Sequence, residues 1–243
     1  MAAQIISAIQ QKGGVGKSTL LCAMAAYMAR DGAKCLILDL DPQHTCLAFH
    51  NTAERLAEEG EGEGARFDVL EGDPSDSASL RPLIAEHKDG YDVIFIDTIG
   101  IESQMIVYAA AQSDLVLIPC GPSSPDAKGA LKTWRKLQEV REISDRPEEA
   151  LAVMTNVSLT AKITEIMMQS LLNQGVPLLA TAVPTLTGWR EMHATGDLPG
   201  GKAAVSLGHL MGALQTKGLL AYYRPGGPWD RRTGRQAVTE EVS

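Results

Sequence analysis

The segment QQKGGVGKST at residues 10–19 constrains this chain more than any other. The apolar run IISAI precedes it, and residues 18–31 carry apolar side chains at helical spacing after it. A glycine-rich turn between a strand and a helix presents backbone N–H groups to an anion, and the helix N-terminus adds partial positive charge. The segment therefore predicts a phosphate-binding loop. A glycine turn without a ligand is the alternative, and the flanking strand and helix weigh against it.

The residue types within the loop assign its chemistry. Lys17 is expected to reach the β- and γ-phosphates of a nucleotide and to act in catalysis. The Ser18 hydroxyl is expected to ligate Mg²⁺, and Thr19 to bond a phosphate nearer the ribose. The full set predicted to hold the nucleotide from this loop is Gly13, Gly14, Val15, Gly16, Lys17, Ser18 and Thr19. A second lysine, Lys12, stands at the loop entrance, where a single bound nucleotide does not need it.

The rest of the chain alternates between strand and helix patterns. Strands are predicted at residues 35–40, 92–97, 114–119, 151–156 and 178–183. Helices are predicted at about residues 75–88, 103–112, 126–143, 160–173 and 203–216. This alternation predicts an α/β fold: a single-domain, doubly wound parallel sheet flanked by helices, as in phosphate-loop NTPases.

Two segments interrupt the alternation. Residues 53–66 are acidic and rich in glycine, and we expect a solvated loop or a frayed helix end there. Residues 222–243 combine proline, glycine and charge without periodicity, and we expect a flexible C-terminal tail after a domain spanning residues 1–221. Between these segments, Trp189, Arg190 and His193 are expected to begin a short helix near the nucleotide or a dimer edge, with His193 as an ordinary surface or packing residue.

Three aspartates at strand ends complete the candidate site. Asp97 closes the run DVIFID, and Asp41 follows the run CLILDL. Because neighbouring parallel strands deliver their C-terminal ends to one crevice, both can converge on the loop and hold Mg²⁺ through water. Asp39 alternates with Asp41 on the same side of its strand. A helix cap or turn is the alternative for each aspartate, and for Asp39 both interpretations stay open.

Bulk composition limits the class of protein. The chain has 243 residues with 44% hydrophobic side chains, as one globular domain requires. A net charge of −8 argues against a surface that coats nucleic acid, although a local basic patch is still allowed. We find no secretion signal and no apolar stretch long enough to span a bilayer, so we expect a cytoplasmic protein. Its four cysteines lack metal-binding spacing and are expected to be buried thiols: Cys22, Cys35, Cys46 and Cys120.

Several motifs together resemble one family. KGGVGKST with its leading lysine, LDLDPQ and FIDT resemble the deviant Walker-type ATPases of the ParA/MinD family over roughly residues 4–120. The segment SDLVLIPCGPSSPDAKGALKTW is similar to the one that follows the third strand of ParA-type partition ATPases, and the ParF-like and VirC-like branches look closest. ParA proteins commonly have prolines after the position of Asp97, whereas this chain has Gly100, as the VirC-like branch does.

The resemblance implies a mechanism. Two subunits would close face to face around two ATP molecules with Mg²⁺, and Lys12 of each would reach the other's nucleotide and assist catalysis. Asp41 would orient or activate the attacking water, with Pro42 and Gln43 in a nucleotide-sensing switch. Two further residues stand where relatives contact adenine: Asn156 and Pro184. Hydrolysis of ATP to ADP and phosphate would be slow until a partner stimulates it.

The resemblance leaves the cargo open. The first hypothesis is DNA partition, in which the ATP-bound homodimer binds DNA non-specifically and a centromere-binding or adaptor protein stimulates the ATPase. The candidate DNA-contacting residues are Lys128, Lys132, Arg135 and Lys136 in one cluster, and Lys202, Lys217, Arg224, Arg231, Arg232 and Arg235 in another. For each cluster a solvated helix face or tail is the alternative.

Other members of the family suggest different cargoes. One hypothesis is a VirC-like ATPase that recruits a DNA-transfer or polar protein complex. A MinD-like membrane positioner is rejected, because residues 226–243 offer few apolar anchors, among them Trp229 and Val238. An iron–sulfur reductase is discounted, because Cys120 has no second cysteine suitably placed.

Overall fold

The computed structural model describes residues 2–100 and 104–220. The strands in this part of the chain are β1 (Gln4–Ala8), β2 (Cys35–Leu40), β3 (Asp68–Glu71), β4 (Val93–Thr98), β5 (Leu115–Cys120), β6 (Glu149–Val157) and β7 (Val183–Pro184). The helices are α1 (Lys17–Arg30), α2 (Thr45–Glu58), α3 (Leu80–His87), α4 (Gln104–Gln112), α5 (Ser124–Ser144), α6 (Lys162–Asn173), α7 (Gly188–Thr195) and α8 (Gly201–Thr216), with a 3₁₀ turn at Ser77–Ser79.

All seven strands join one parallel sheet in the order β3-β2-β4-β1-β5-β6-β7. The strand β1 lies in the middle, so the loop that follows it opens at the centre of the C-terminal edge of the sheet. Parallel strands need crossover connections, and helices supply them. The predicted α/β fold with a doubly wound parallel sheet is confirmed.

Helices cover both faces of the sheet. One core cluster joins the inward side chains of α1, α2, α7 and α8 to one face, and a second joins those of α3, α4, α5 and α6 to the other. Residues of β4 alternate between the two clusters: Phe95 packs in the first, and Ile94 and Ile96 pack in the second. The central strands are therefore apolar on both faces, which explains the continuous apolar runs in their sequence.

The secondary structure differs from the sequence prediction in three places. The helix α2 and the short strand β3 were not predicted, and residues 53–58, expected to be a loop or a helix end, form the last turns of α2. The strand predicted at residues 178–183 is wrong in extent: the chain makes an isolated bridge from Leu178 to Ala152 and then the two-residue strand β7. The position of β7 at the edge of the sheet explains why this strand is short, because an outer strand has a pairing partner on one side only.

Two expectations concern residues outside this description. The tail predicted at residues 222–243 lies outside the described residues, as do the ends of the predicted domain at residues 1 and 221.

Within the described part of the chain, no helix is both long and apolar enough to cross a membrane.

Candidate nucleotide-binding site

The glycine loop between β1 and α1 depends on glycine for its backbone conformation. Gly14 has φ of 76° and Gly16 has φ of 92°, in the left-handed region that disfavours side chains. A Cβ atom at either position would meet nothing within 4 Å, so backbone conformation rather than space requires glycine there. Gly16 is the N-cap of α1, and the loop therefore directs the first N–H groups of that helix into the crevice.

A cavity of about 430 Å³ lies over this loop. Its floor is formed by the loop and the start of α1, and its sides by the ends of β2, β4 and β6 and by α7. The predicted site residues that line it are Gly13, Gly14, Gly16, Lys17, Ser18, Thr19, Asp41 and Asn156. Of the two predicted adenine contacts, Asn156 lines the cavity, whereas Pro184 is not among its lining residues and the adjoining Val183 is.

Lys17 is enclosed by its surroundings. Its residue surface is only 6% exposed, yet it lines the cavity. Gly100 lies against it, because a Cβ at position 100 would stand 3.2 Å from Lys17 Nζ and 3.0 Å from Gly13 N. A side chain at this position would stand in close contact with the phosphate loop and the Lys17 ammonium.

Asp97 and Asp39 lie side by side beneath the loop. They are register partners in the pairing of β4 with β2, and both are fully buried. Burial raises the pKa of Asp97 to about 7, and the nearby Asp39 acts in the same direction, while the Ser18 hydroxyl, the Cys46 thiol and the Lys17 ammonium oppose the rise. Asp97 Oδ2 accepts a hydrogen bond from Cys46 Sγ at 3.4 Å, whereas Oδ1 has no hydrogen-bond partner among the described residues.

Asp39 has a structural role. Its carboxylate accepts hydrogen bonds from the backbone N–H of Asp41 at 3.2 Å and of Leu47, in the first turn of α2, at 3.0 Å. Burial raises the pKa of Asp39, and these hydrogen bonds counteract part of that rise. The interpretation of Asp39 as a helix-capping and turn-forming residue therefore accounts for its contacts.

Asp41 stands at the open side of the same strand end. It lines the cavity, and its Oδ1 accepts a hydrogen bond from Gln43 N at 3.0 Å, which shapes the following turn. Within that turn His44 adopts φ of 47°, an uncommon conformation for a residue with a side chain. Asp41 is thus half-buried beside the phosphate loop, in a turn that Asp39 ties to α2.

The end of β6 supports the loop from the opposite side. Thr155 Oγ1 donates to the carbonyl of Val15 at 2.7 Å, and Asn156 Nδ2 donates to the carbonyl of Gly14 at 3.3 Å. Val15 itself is buried and does not line the cavity. These bonds tie the conformation of the loop to the end of β6.

Lys12 lies outside the cavity. Its Nζ contacts Asp126 Oδ1 at 2.5 Å, at the first turn of α5. Asp126 is buried, and it also accepts a hydrogen bond from the hydroxyl of Ser123, the N-cap of α5. Sequence reasoning did not identify Asp126 as a partner of Lys12, because the two lie 114 positions apart. The S-x-x-D spacing of Ser123 and Asp126 signals only the start of a helix.

Three residues of α7 line the cavity: Trp189, Arg190 and His193. The sequence analysis expected a short helix here, near the nucleotide or a dimer edge. His193 was expected to be an ordinary surface or packing residue, and its ring does pack edge-on against Phe49. His193 Nε2 also lies 2.9 Å from Thr19 Oγ1, a contact that the sequence analysis missed. No local signal could have found it, because it joins residues 174 positions apart.

The candidate DNA-contacting residues are distributed unevenly. Lys128, Lys132 and Arg135 are exposed along α5 at helical spacing, and the neighbouring Lys136 pairs with Glu139. Lys202 and Lys217 lie at opposite ends of α8 and do not form one patch. The other four candidates lie outside the described residues: Arg224, Arg231, Arg232 and Arg235.

All four cysteines are buried and free, as predicted.

A parallel sheet with this loop after its central strand defines a phosphate-loop nucleotide-binding protein. Residues 6–199 match the family described as the CobQ/CobB/MinD/ParA nucleotide binding domain, and the chain belongs to that family. The resemblance to ParA/MinD proteins is thereby confirmed, whereas the ParF-like or VirC-like branch stays a prediction.

Named relatives and solved structures agree with this assignment. Protein ParA of Rhizobium radiobacter is 28% identical over 194 residues, which cover 79% of this chain and 83% of that protein. The chromosome-partitioning ATPase Soj of Thermus thermophilus is 29% identical over 157 residues, which cover 56% of this chain and 62% of that protein. A putative plasmid partition protein of Borrelia burgdorferi bound to AMPPNP shares the fold, with a TM-score of 0.68 at 16% identity over 88% of this chain and 99% of that one.

Proposed function

We propose that this protein is an ATPase that closes into a dimer around ATP and uses that dimer to partition or position DNA. One observation carries the proposal: the two lysines of the loop have different surroundings. Lys17 is buried and lines the cavity, whereas the Lys12 side chain is 46% exposed, lies outside the cavity and contacts Asp126. A loop lysine that does not serve its own cavity is available to the nucleotide of a second protomer.

Closure of two protomers would make Lys12 effective. An ammonium group near a triphosphate interacts weakly in water and far more strongly where water is excluded. In a closed pair, Lys12 of one protomer would contact the phosphates bound by the other and offset the charge that develops during hydrolysis. A monomer would then hydrolyse ATP slowly, and closure would set the time at which hydrolysis occurs.

The residues beside the loop fit a magnesium ion. Asp97 Oδ1 is buried and lacks a hydrogen-bond partner among the described residues, which favours a bound cation or its water nearby. Ser18 would ligate Mg²⁺ directly, with Asp97 and Asp41 acting through water. When bound, Mg²⁺ neutralises charge on the β- and γ-phosphates. Asp41, half-buried at the cavity wall, would orient or activate the attacking water.

The nucleoside would extend toward β6 and α7. Asn156 and Val183 line that end of the cavity, and Pro184 follows directly. Asn156 holds φ of 53° while bonding Gly14, so its position is fixed relative to the phosphates. We assign the adenine to this end, with Asn156 and Pro184 as its contacts.

The DNA part of the proposal rests on α5. Lys128, Lys132 and Arg135 form an exposed basic stripe, and Asp126, the partner of Lys12, lies in the first turn of the same helix. Non-specific DNA binding needs such a stripe and no base-reading residues. In this proposal a cargo-bound adaptor protein stimulates hydrolysis, and the dimer works in the cytoplasm on nucleoid DNA.

A gel mobility-shift assay with non-specific duplex DNA tests this proposal, with ADP or a non-hydrolysable ATP analogue present over a salt series. We expect a shift with the ATP analogue, weakened by salt, and a dimer with the analogue in light scattering. Replacing Lys128, Lys132 and Arg135 by alanine should weaken the shift. A control variant replaces Lys34, Arg81 and Lys88, which are also exposed and change the net charge equally. A dimer that gives no shift would contradict DNA binding and favour the protein-recruiting ATPase.

A further inference from the structure

The helix α7 packs closely against neighbouring elements at both ends. A Cβ at Gly188 would lie 2.8 Å from the Gly200 carbonyl oxygen, and one at Gly196 would lie 2.4 Å from Ala53 N in α2. These approaches leave no room for a side chain at either end. The cavity-lining side chains of α7 therefore stand on a helix that packs closely against α2 at one end and the start of α8 at the other, and His193 lies between the two contact points.

His193 is the residue of α7 that reaches the phosphate loop. Its Nε2 lies 2.9 Å from Thr19 Oγ1, and its ring packs edge-on against Phe49 with ring centroids 5.7 Å apart. Burial lowers the pKa of His193 below its ordinary value, which favours the neutral imidazole. A neutral imidazole has one donor nitrogen and one acceptor nitrogen, and the partner of each decides which is which.

The chemistry of the Thr19 hydroxyl limits what this contact can do. A hydroxyl has one hydrogen to donate and two lone pairs to accept with. If Thr19 gives its hydrogen to His193, it has none for a phosphate oxygen. If His193 donates through Nε2–H, Thr19 accepts that bond and keeps its hydrogen for the phosphate.

We propose that His193 is a positioning residue for nucleotide binding, which donates to Thr19 Oγ1 and thereby directs the Thr19 hydrogen toward the phosphate nearest the ribose. The proposal rests on the proposed function, in which the cavity holds ATP. It differs from the roles given to Lys12, Lys17 and Asp41, all of which concern the outer phosphates. His193 does not contact the γ-phosphate in this scheme, so it affects ATP and ADP alike and leaves the chemical step unchanged.

Variants of His193 test the role. We expect His193→Phe, which keeps the ring but removes both nitrogens, to weaken binding of ADP and of a non-hydrolysable ATP analogue equally, by about 3- to 10-fold, the value of one hydrogen bond. In turnover assays the KM for ATP should rise by a similar factor. His193→Gln can place an amide N–H near the position of Nε2 and should keep most of the affinity. His193→Asn is too short to do so and should lose it.

A double variant separates positioning from packing. In a Thr19→Val background the hydroxyl is absent, so we expect His193→Phe to cause no further loss of affinity. His209→Phe, on the exposed face of α8 and outside the cavity, is the matched control and should bind as the wild type does. Thermal unfolding without nucleotide checks each fold. If His193→Phe does not fold, the nucleotide affinities of the Gln and Asn variants test the proposal. Tighter binding by the Gln variant than by the Asn variant supports it.

Three results would overturn the role of His193 alone: unchanged affinity in the Phe and Asn variants, a loss confined to the ATP analogue, or additive losses in the double variant. A wild-type protein that binds neither nucleotide in calorimetry would instead overturn the proposed function, and this proposal with it.

Discussion

Lys12 and Asp126 form an ion pair across the loop entrance, with Lys12 Nζ 2.5 Å from Asp126 Oδ1. The carboxylate is 9% exposed and Ser123 holds it from the other side, so the partner of Lys12 is fixed in place. Within one protomer this pair satisfies the charge of Lys12 away from the cavity. A dimer in which Lys12 reaches the other protomer must first break it.

We therefore expect Asp126→Asn to favour ATP-dependent dimerisation. A partly exposed ion pair contributes up to about 1 kcal/mol, so the dimer affinity should rise by about two- to fivefold. Sedimentation velocity with a non-hydrolysable ATP analogue measures the change. Glu139→Gln, which breaks the exposed pair with Lys136 on the same helix, is the control and should leave dimerisation unchanged. Weaker dimerisation in the Asn variant would mean that Asp126 orients Lys12 toward the partner protomer.

Replacing Lys12 and replacing Lys17 should impair different properties of the protein. Lys17→Ala should abolish ATP binding, because it removes the buried cation of the cavity. Lys12→Ala should bind ATP as the wild type does and lose dimerisation or stimulated hydrolysis. Calorimetry and light scattering measure the two properties, and Lys34→Ala, an exposed lysine after α1, is the matched control. Equal loss of binding in both variants, with a wild type that stays monomeric in ATP, would remove the role of Lys12 in the other protomer.

We expect Asp41→Ala to trap an ATP-bound dimer. In the proposed function the carboxylate at the open end of β2 orients the attacking water, and we expect the phosphate loop to keep most of the nucleotide affinity without it. Turnover should fall by about 100-fold or more, within the range for loss of a general acid–base group, while the dimer persists in ATP. Gel filtration with ATP and a phosphate-release assay test this. Normal turnover in the variant would exclude Asp41 from the chemistry.

Asp97 should make the stability of the nucleotide-free protein depend on pH. Its pKa rises from 3.8 unfolded to about 7 folded, so folding takes up a proton between these values. Stability from this group is therefore greatest at low pH, falls as pH rises through about 4 to 7, and is level above that. Asp97→Asn lacks this contribution to the slope and should be clearly more stable than the wild type at pH 8.

Thermal unfolding in EDTA between pH 5 and 8 measures this difference. Asp89→Asn, in the exposed turn after α3, makes the same change of charge and should keep the slope of the wild type. Asp39 contributes in the same direction in all three proteins. Parallel curves for the wild type and Asp97→Asn would contradict burial of Asp97 as the cause.

Gly196→Ala should destabilise the protein. Gly196 has φ of 62°, and an added Cβ would lie 2.4 Å from Ala53 N, so α7 must move away from α2. We expect a loss of about 2–4 kcal/mol in the free energy of unfolding, from backbone strain and overpacking together. Chemical denaturation measures it. Gly212→Ala, in α8 with open space around it, is the control and should gain up to about 1 kcal/mol. Equal effects would show that α7 does not depend on this contact.

The sequence alone determined the parts that depend on neighbouring residues. The phosphate loop follows from a strand, a glycine turn and a helix within residues 5–31, and the central strands follow from continuous apolar runs. The position of Asp97 and Asp41 follows from parallel pairing, because strand ends of one sheet share one edge. The edge elements β3 and β7 were predicted poorly, since a short strand with one neighbour has little pattern of its own.

Tertiary structure decided which distant residues meet. The Lys12–Asp126 and Thr19–His193 contacts join positions 114 and 174 residues apart. Neither pair has a spacing that a sequence pattern could register, because the contacts depend on how α5 and α7 pack at the C-terminal edge of the sheet. Local periodicity fixes the elements, whereas burial and packing between elements fix the partners of a charged or hydroxyl group.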